Sequence, residues 1–238
     1  MIQISAKNLS KSYGEGDAAV HAVRDISLEV ARGEFISIMG ESGSGKSTLL
    51  SMLGALNSPS TGEYVVEDLR VYSLGSDQRA DFRREFIGFV FQSFHLVPYL
   101  SVIENVMLPL VTTNKSMAEK RALAQSALER VGLADKGPRL PSQISGGEAE
   151  RVAIARAIVN EPPILMADEP TGNLDSGTSK EIMSLLEKLN AQGMTIIMVT
   201  HSLECAKNAR RIIKIADGKI LEDKSTWTSN SEVCECAS

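Results

Sequence analysis

A glycine-rich segment, residues 40–47, constrains the fold of this chain more than any other feature. It reads GESGSGKS and matches the pattern G-x-x-x-x-G-K-[ST] at every fixed position. The apolar run Phe35–Met39 precedes it and predicts a buried strand. Leucines at helical spacing follow it, namely Leu49, Leu50, Leu53 and Leu56. Because a strand, a glycine loop and a helix N-terminus in this order direct backbone N–H groups at an anion, the segment predicts a phosphate site in an α/β core.

The loop also predicts which side chains meet the phosphates. We expect Lys46 to reach the β- and γ-phosphates of a nucleotide and the Ser47 hydroxyl to hold Mg²⁺. A guanine-binding pattern Asn-Lys-x-Asp is missing, since Asn114 and Lys115 are followed by Met117 where the aspartate should stand. ATP is therefore the expected nucleotide. The candidate ATP-binding residues of the loop are Gly40, Glu41, Ser42, Gly43, Ser44, Gly45, Lys46, Ser47 and Thr48.

Further short apolar runs predict more strands of the same sheet. They lie at 87–91, 164–167 and 195–199. Between the last two, a predicted helix ends near Gly193 and carries Ile182, Leu185, Leu186 and Leu189 on one face. A strand, a crossover helix and a strand form a parallel unit. The core is therefore predicted to be α/β.

Antiparallel strands are predicted at the edge of this core. The segments concerned are 2–9, 26–30, 64–71 and 212–220. In the last of them, Asp217-Gly218 is typical of a hairpin turn.

A helical region is predicted between the strands, over residues 102–159. A capping box beginning at Ser116 opens one of its helices, which is expected to run to about Val131. We therefore predict one domain over residues 1–238, with a helical subdomain at about 93–158 inserted in the core.

Four polar residues lie at or directly after the predicted strands. They are Gln92, Asp168, Glu169 and His201. Because the carboxyl ends of parallel strands meet at the ligand-binding edge of an open α/β sheet, we expect them to lie near the loop at Gly40. Carboxylates, magnesium and a lysine that converge on a γ-phosphate supply positioning and charge stabilisation for phosphoryl transfer. A purely structural role, as strand caps or solvated loop residues, stays open for each of them.

These motifs, in this order, together with the segment 145–152 that reads SGGEAERV, resemble those of the ATP-binding cassette (ABC) family. The resemblance implies the P-loop NTPase (RecA-like) fold, with a small antiparallel β subdomain and a helical subdomain that carries the signature motif. It also implies an ATPase that uses ATP and Mg²⁺.

The resemblance assigns a role to each candidate residue. It implies that Asp168 supports the metal, together with Ser47 and Gln92, the glutamine of the Q-loop. It implies that Glu169 polarises the attacking water and that His201 is the catalytic switch histidine. Residues 173–175 match the D-loop, and Tyr13 lies where the family has an aromatic ring that stacks on adenine.

The signature motif implies a dimer. Its candidate ATP-binding residues, in front of a predicted helix, are Ser145, Gly146, Gly147 and Glu148. In the resembled family this motif serves the nucleotide of the other subunit, so that a head-to-tail homodimer encloses two ATP molecules. Glutamine is the most common residue where Glu148 stands, and the effect of this difference on hydrolysis is left open.

A closer resemblance concerns the branch of the family that serves lipoprotein release, macrolide or peptide export, and cell division. It rests on residues 35–40, 87–94, 105–110 and 167–175. It implies an integral membrane permease as partner and a peripheral location at the cytoplasmic face of the inner membrane. The apolar residues of 91–110 either line a groove for a permease helix or form the core of the helical subdomain.

Composition bears on the alternative functions. The 238 residues carry a net charge of −5, which argues against binding nucleic acid by phosphate neutralisation. No nucleic-acid partner is therefore expected. A soluble ABC-type ATPase that acts on nucleic acid or ribosomes remains an alternative, as does a regulator such as a cell-division ATPase. Cys234 and Cys236 are too few to form a metal site, and a frayed tail is the expectation there.

Overall fold

The computed structural model describes residues 1–14 and 19–225, so Cys234 and Cys236 lie outside the described residues. The strands are β1 (Ile2–Tyr13), β2 (Val20–Ala31), β3 (Phe35–Met39), β4 (Thr61–Val66), β5 (Leu69–Arg70), β6 (Ile87–Val90), β7 (Ile164–Asp168), β8 (Thr195–Thr200), β9 (Arg211–Ala216) and β10 (Lys219–Ser225). The helices are α1 (Lys46–Leu53), α2 (Ser76–Phe86), α3 (Val102–Met107), α4 (Met117–Arg130), α5 (Gly146–Ile158), α6 (Ser176–Ala191) and α7 (Leu203–Ala206). Short 3-10 turns span Val71–Ser73, Leu108–Leu110 and Pro141–Gln143. Within the described ranges, no helix has the length and apolar character needed to cross a membrane.

The central sheet has six strands in the order β10-β9-β3-β8-β7-β6. Neighbouring strands from β9 to β6 pair in parallel, which confirms the predicted parallel core. Successive residues of β7 face opposite sides of the sheet: Leu165 packs in the cluster with the helices α3 to α6, whereas Met166 packs in the cluster with α1 and the N-terminal strands. The sheet is buried on both faces, and this is why its strands are continuous apolar runs rather than alternating ones.

The N-terminal strands form a second sheet, in the order β2-β1-β4-β5, with antiparallel pairing throughout. The predicted antiparallel character is confirmed, but β1 and β2 are longer than predicted because their pairing continues to Tyr13 and Val20. The prediction of strand as far as Val71 was wrong. Val71 begins a 3-10 turn, and its side chain is fully buried.

The segment 212–220 forms the predicted hairpin but does not belong to an antiparallel edge alone. β9 and β10 pair antiparallel around Asp217 and Gly218, which both have positive φ. On its other side β9 pairs in parallel with β3. Ile213 and Ile215 are buried in the cluster that contains α1, so this strand completes the core sheet.

Helix α1 starts at Lys46, directly after the glycine loop, and ends at Leu53 with Gly54 as its C-cap. Leu49, Leu50 and Leu53 are fully buried, as the helical spacing predicts. Leu56 was wrongly included in this helix. It lies beyond the C-cap and is 44% exposed.

The helices between residues 102 and 158 cover one face of the sheet. Ser116 begins α4 with the predicted capping box, in which its hydroxyl accepts from the N–H of Glu119, and α4 ends at Arg130. Helix α5 buries Val152 and Ala155 in the cluster with α3, α4 and α6. The N-terminus of α5, which carries the signature residues, is therefore held by a different part of the fold from the glycine loop.

Candidate functional site

The register of the central sheet brings the predicted strand-end residues to one edge. Met39, the last residue of β3, pairs with Thr200, and Val199 pairs with Asp168. Val90 at the end of β6 pairs with Ala167. The glycine loop, His201, Glu169 and Gln92 therefore all leave the sheet at the same edge, as the sequence predicts.

Two glycines of the loop lie where no side chain could fit. A Cβ on Gly40 would lie 2.3 Å from the carbonyl oxygen of Ile215. A Cβ on Gly45 would lie 2.1 Å from the carbonyl oxygen of Ala22, and Gly45 has a φ of +98°. Glycine is the residue that tolerates both the positive φ and the close approach. The loop therefore packs closely against β2 and β9 through Gly45 and Gly40. On its other side the backbone can surround a phosphate.

Lys46 has a buried side chain and donates from Nζ to the carbonyl oxygens of Gly40 and Glu41, at 2.7 and 2.8 Å. Both partners are neutral, so they leave the charge of the ammonium group available to an anion. The Ser44 hydroxyl is buried and has no hydrogen-bond partner among the described residues. A buried lysine charge and an orphaned hydroxyl in one glycine loop fit a phosphate ligand.

The side-chain oxygen atoms of Ser47 and Asp168 lie next to each other, at the start of α1 and the end of β7. The Ser47 hydroxyl donates to Oδ1 of Asp168 at 3.1 Å. Burial raises the pKa of the Asp168 carboxyl, and the neighbouring Glu169 charge raises it further, while Ser47 and Lys46 act in the opposite direction. A hydroxyl and a half-buried carboxylate are oxygen ligands of the kind that Mg²⁺ takes beside substrate phosphates, so the residues present fit that ion.

Glu169 has an unusual backbone for its residue type, with φ +48°. Its N–H donates to the carbonyl of Val199 and its carbonyl accepts from the N–H of Gly172, each at 3.0 Å. Its Oε1 lies 3.0 Å from Nδ1 of His201, and its Oε2 accepts from the His201 N–H at 3.3 Å. The side chain of Glu169 is 11% exposed, whereas that of His201 is 67% exposed. The carboxylate is therefore held in place, and the histidine ring remains open to a ligand.

Gln92 lies beside the segment that follows Glu169. Its backbone carbonyl accepts from Nδ2 of Asn173 at 2.9 Å. A Cβ on Gly172 would lie 3.6 Å from Nε2 of Gln92. Gln92 itself is exposed. The structure thus joins the predicted Q-loop glutamine to the D-loop segment 173–175.

Tyr13 ends β1 with a side chain that is 44% exposed. Nζ of Lys11 lies 5.2 Å from the centre of its ring. Tyr13 pairs with Val20, two residues before Ala22, whose carbonyl touches the loop at Gly45. The ring is therefore carried by the end of β1 that approaches the glycine loop.

The signature residues are not part of this arrangement. Ser145 caps α5, where its hydroxyl accepts from the Glu148 N–H at 3.2 Å and its own N–H donates to Oε2 of Glu148 at 2.8 Å. A Cβ on Gly147 would lie 2.4 Å from Cγ2 of Thr178, so α5 and α6 touch at their N-termini. The close neighbours of these residues belong to α6, to the segment 173–175 and to the helical region. Those of the glycine loop belong to β2, β7 and β9.

A cavity of about 550 Å³ opens beside the glycine loop. Its walls include Gly40, Ser42, Gly43, His201 and Lys214. Its size falls within the range of ligand sites, and it extends from the loop to His201 across the sheet edge.

The sequence model of the family described as "ABC transporter" matches residues 23–172, more than half of the chain. The chain belongs to the ABC transporter family. It is the ATP-binding cassette of that family, an ATPase.

Two solved forms of another cassette of this family share its fold. A dimeric structure of "MJ0796, a Bacterial ABC Transporter Cassette" has a TM-score of 0.87 and 42% identity, covering 94% of this chain and 99% of that one. A dimeric post-hydrolysis state of the ATP-binding cassette MJ0796, bound to ADP and Pi, has the same TM-score and 41% identity, with the same coverage.

Curated ABC relatives are of two lengths. An uncharacterized ABC transporter ATP-binding protein, MJ1508 of Methanocaldococcus jannaschii, is 49% identical over 92% of this chain and 98% of its own length. The macrolide export ATP-binding/permease protein MacB of Sodalis glossinidius is 48% identical over 94% of this chain but 34% of its own length. The chain thus spans about a third of the combined ATP-binding and permease relatives.

Sequence reasoning missed three ionisable residues that lie in or beside the signature helix α5, one of which also contacts the segment after Gln92. Nζ of Lys136 lies 3.0 Å from Oε1 of Glu148 in the signature. Arg156 donates to the carbonyls of Phe94 and His95, at 2.7 and 2.6 Å, and so holds the segment after Gln92. Glu150 is 1% exposed, and its Oε1 has no partner among the described residues. No motif marks Lys136 or Arg156, but a carboxylate at 150 inside an apolar helix face was a signal that could have been used.

Proposed function

We propose that this cassette energises a separate integral membrane permease, from the cytoplasmic face of the inner membrane, as an ATP-sandwiching homodimer. The observation that carries the proposal is the joint placement of Lys46, Ser47, Asp168, Glu169 and His201 at one edge of the sheet, with the signature held elsewhere. One half of the site can bind and hydrolyse ATP, and the other half is a separate anion-binding helix N-terminus that a second copy would complete.

The glycine loop, residues 40–48, is the phosphate-binding part of the proposed site. Lys46 would exchange its carbonyl partners for β- and γ-phosphate oxygens, and the backbone N–H groups of the loop would surround the anion. Tyr13 would stack on adenine. Mg²⁺ when bound would neutralise phosphate charge, and Ser47 and Asp168, with Gln92, are the residues that would hold it.

Glu169 is the residue we propose to orient and polarise the water that attacks the γ-phosphate. Its carboxylate is fixed by His201 through two contacts and by the tight turn at Gly172. A group that is already oriented needs little rearrangement when charge develops in the reaction. The exposed ring of His201 faces the cavity beside the loop, where it can contact the γ-phosphate.

The signature residues Ser145, Gly146, Gly147 and Glu148 would meet the γ-phosphate held by the other copy, and the Ser145 hydroxyl and the backbone N–H groups, not the Glu148 carboxylate, would bind it. Helix α5 has 13 residues and Ser145 caps it, so its N-terminus offers backbone N–H groups to an anion. A cyclic pairing of two copies would bury both sites at once. The dimeric structures of MJ0796 support this proposal by similarity.

A groove of about 440 Å³ is the surface we propose for the permease. Its walls include Leu56, Arg84, Phe89, Leu108 and Pro109, so it combines apolar and basic side chains. Of the apolar segment 91–110, the residues Val102, Ile103, Val106 and Leu110 are buried in the core. Leu108 and Pro109 of that segment line the groove, where they can contact a helix.

The class of cargo is proposed from the relatives. Relatives whose names include a cargo are named for macrolide export and pyoverdine export. Together with the resemblance of residues 35–40, 87–94, 105–110 and 167–175 to the lipoprotein-release and export branch, these names lead us to propose lipoprotein release or the export of macrolide- or peptide-like compounds. Action on nucleic acid or ribosomes, or a regulatory role in cell division, is the second candidate, and the net charge of −5 disfavours nucleic acid.

The test is capture from native membranes with the Glu169→Gln variant and ATP. We expect an integral membrane protein to be recovered. Leu108→Arg in the same background should lower this recovery about fivefold or more, because it buries a charge in the groove. Val111→Arg, an exposed neighbour outside the groove walls, is the matched control and should keep full recovery.

Recovery of only soluble proteins or nucleic acid would overturn the transport proposal but would not affect the assignment as an ATPase. Equal recovery with Leu108→Arg and Val111→Arg would overturn the groove as the permease surface. ATP-dependent dimerisation of both variants checks that they are folded.

A further inference from the structure

Glu148 creates an electrostatic conflict in the proposed dimer. It lies in the first turn of α5, at the helix end that would meet the γ-phosphate bound by the other copy. A carboxylate there would repel the phosphate and oppose the helix dipole that attracts it.

Lys136 contacts this carboxylate. Its Nζ lies 3.0 Å from Oε1, while Oε2 accepts from the Ser145 N–H at 2.8 Å. The two side chains are 25% and 27% exposed, so the pair is partly shielded from water. The pKa of the Glu148 carboxyl is lowered, first by the Ser145 backbone and then by Lys136, so the group is ionised and needs a counter-charge.

The side chain of Lys136 is not needed to hold its own loop. The Lys136 N–H donates to the carbonyl of Leu133, and its carbonyl accepts from the Arg139 N–H. The loop is also joined to α3, because the N–H groups of Val102 and Ile103 donate to the carbonyls of Arg139 and Gly137. These backbone bonds fix the loop and leave the ammonium group to contact Glu148.

With both Glu148 oxygens engaged, Ser145 can still bind an anion. Its hydroxyl oxygen accepts from the Glu148 N–H at 3.2 Å. Its hydroxyl hydrogen also helps to lower the pKa of the Glu148 carboxyl, and it can rotate to donate to an anion because Lys136 and the Ser145 N–H hold that carboxylate. Removal of the lysine charge would leave an unpaired carboxylate next to this hydroxyl.

We infer that Lys136 is a positioning residue for the nucleotide of the other subunit, because it neutralises and orients Glu148 so that Ser145 and the N-terminus of α5 can receive the γ-phosphate. The inference rests on the proposed head-to-tail dimer. On this view Lys136 allows a signature motif that contains Glu148 to receive the phosphate of ATP.

The test measures ATP-dependent dimerisation in the Glu169→Gln background by sedimentation. Lys136→Met should weaken the interaction about fivefold for each site, as expected for one partly exposed ion pair. Because a symmetric dimer contains two such sites, its dissociation constant should rise about 25-fold. Lys136→Arg should retain most of the affinity, and Lys120→Met, in α4 of the same region, is the matched control.

The second half of the test combines Lys136→Met with Glu148→Gln. With no carboxylate to neutralise, the double variant should dimerise within about twofold of the parent. Binding of a fluorescent ATP analogue to monomeric Lys136→Met should be unchanged, because Lys136 serves the other copy's nucleotide.

Three outcomes separate the possibilities. If Lys136→Met dimerises like the parent, the inference is overturned. If Lys136→Met causes as large a loss in the Glu148→Gln background as it does beside the native Glu148, Lys136 acts by itself rather than through the carboxylate, and the inference is again overturned. If the Glu169→Gln parent does not dimerise with ATP at all, the proposed dimer fails first, and this result is distinct from the other two.

Discussion

His201 contacts Glu169 through both its ring and its backbone. Nδ1 lies 3.0 Å from one carboxylate oxygen, and the backbone N–H donates to the other at 3.3 Å. Since His201 follows β8 and Glu169 follows the neighbouring β7, the pair also ties together the ends of two adjacent strands. The carboxylate is therefore oriented before any substrate arrives, and the ring that orients it is the exposed partner.

Glu169→Gln should abolish turnover and preserve ATP binding. The amide keeps the size of the side chain but cannot accept a proton from the attacking water, and a positioned base contributes roughly 10²–10⁴ in rate. Phosphate release measures the loss, and ATP-dependent dimerisation measures what remains. Glu187→Gln, on the exposed face of α6, is the matched control. Undiminished turnover in Glu169→Gln would remove Glu169 from its proposed role.

His201→Ala should lower turnover about 10- to 100-fold, with a smaller effect on ATP affinity. The change removes the ring that holds Oε1 of Glu169 and leaves the backbone contact to Oε2 in place. His201→Gln keeps a polar group of similar reach and should retain more activity than alanine. The comparison of kcat with KM for the two variants checks this. If both variants raise KM to the same extent and leave kcat unchanged, His201 binds nucleotide without orienting the carboxylate.

The local motifs explain how much of the site the sequence could predict. The glycine loop, the strand-end residues and the capping boxes at Ser116 and Ser145 depend on neighbours within a few positions, so their structure is encoded locally. The prediction of purely antiparallel pairing for 212–220 was wrong. A hairpin turn in the sequence indicates the two strands that it connects, but it does not indicate which third strand pairs with them. β9 pairs with β3, which is far away in sequence.

Other features of the site depend on contacts between residues that are not close in sequence, and these could not be predicted. Lys136 reaches Glu148 across a turn and the start of α5, and no spacing rule predicts that meeting. The positive φ of Glu169 likewise follows from a tertiary bond to Val199 together with the turn bond from Gly172, not from a residue type that favours it. Strain of this kind costs about 1–3 kcal/mol and is retained where surrounding bonds over-determine the backbone.

Glu150→Gln should stabilise the protein, and the gain should grow with pH. Burial raises the pKa of Glu150 to about 8 from 4.5, and the charge of Arg156 only partly opposes this. Between pH 4.5 and 8 the folded chain holds a proton that the unfolded chain has lost, so stability falls as pH rises through this window and is level above it. Glutamine cannot ionise and avoids that loss, which is about 2–5 kcal/mol.

Urea unfolding at about pH 4, 7 and 9 checks this prediction, because these values bracket the titration window. The two proteins should be similar at the lowest pH and differ most at the highest. Glu161→Gln, an exposed change, is the control. A gain in stability that is the same at all three pH values would show that Glu150 does not titrate in this window.

Gly45→Ala should weaken ATP binding, whereas Gly193→Ala should only reduce stability. Both glycines have φ near +100°, so alanine is strained by about 1–2 kcal/mol at either position. At Gly193 nothing among the described residues lies within 4 Å of the added Cβ, so this strain is the whole cost. At Gly45 the Cβ would also lie 2.1 Å from the carbonyl of Ala22, and the loop must open to accommodate it.

The pair therefore separates backbone strain from the geometry of the phosphate loop. Calorimetric titration with Mg-ATP should find Gly193→Ala within about twofold of the parent and Gly45→Ala weaker by about tenfold or more, because an opened loop directs fewer N–H groups at the phosphate. Thermal unfolding should show both variants destabilised, with Gly45→Ala the more so. If both bind ATP like the parent, the contact between β2 and the loop is not what shapes the phosphate site.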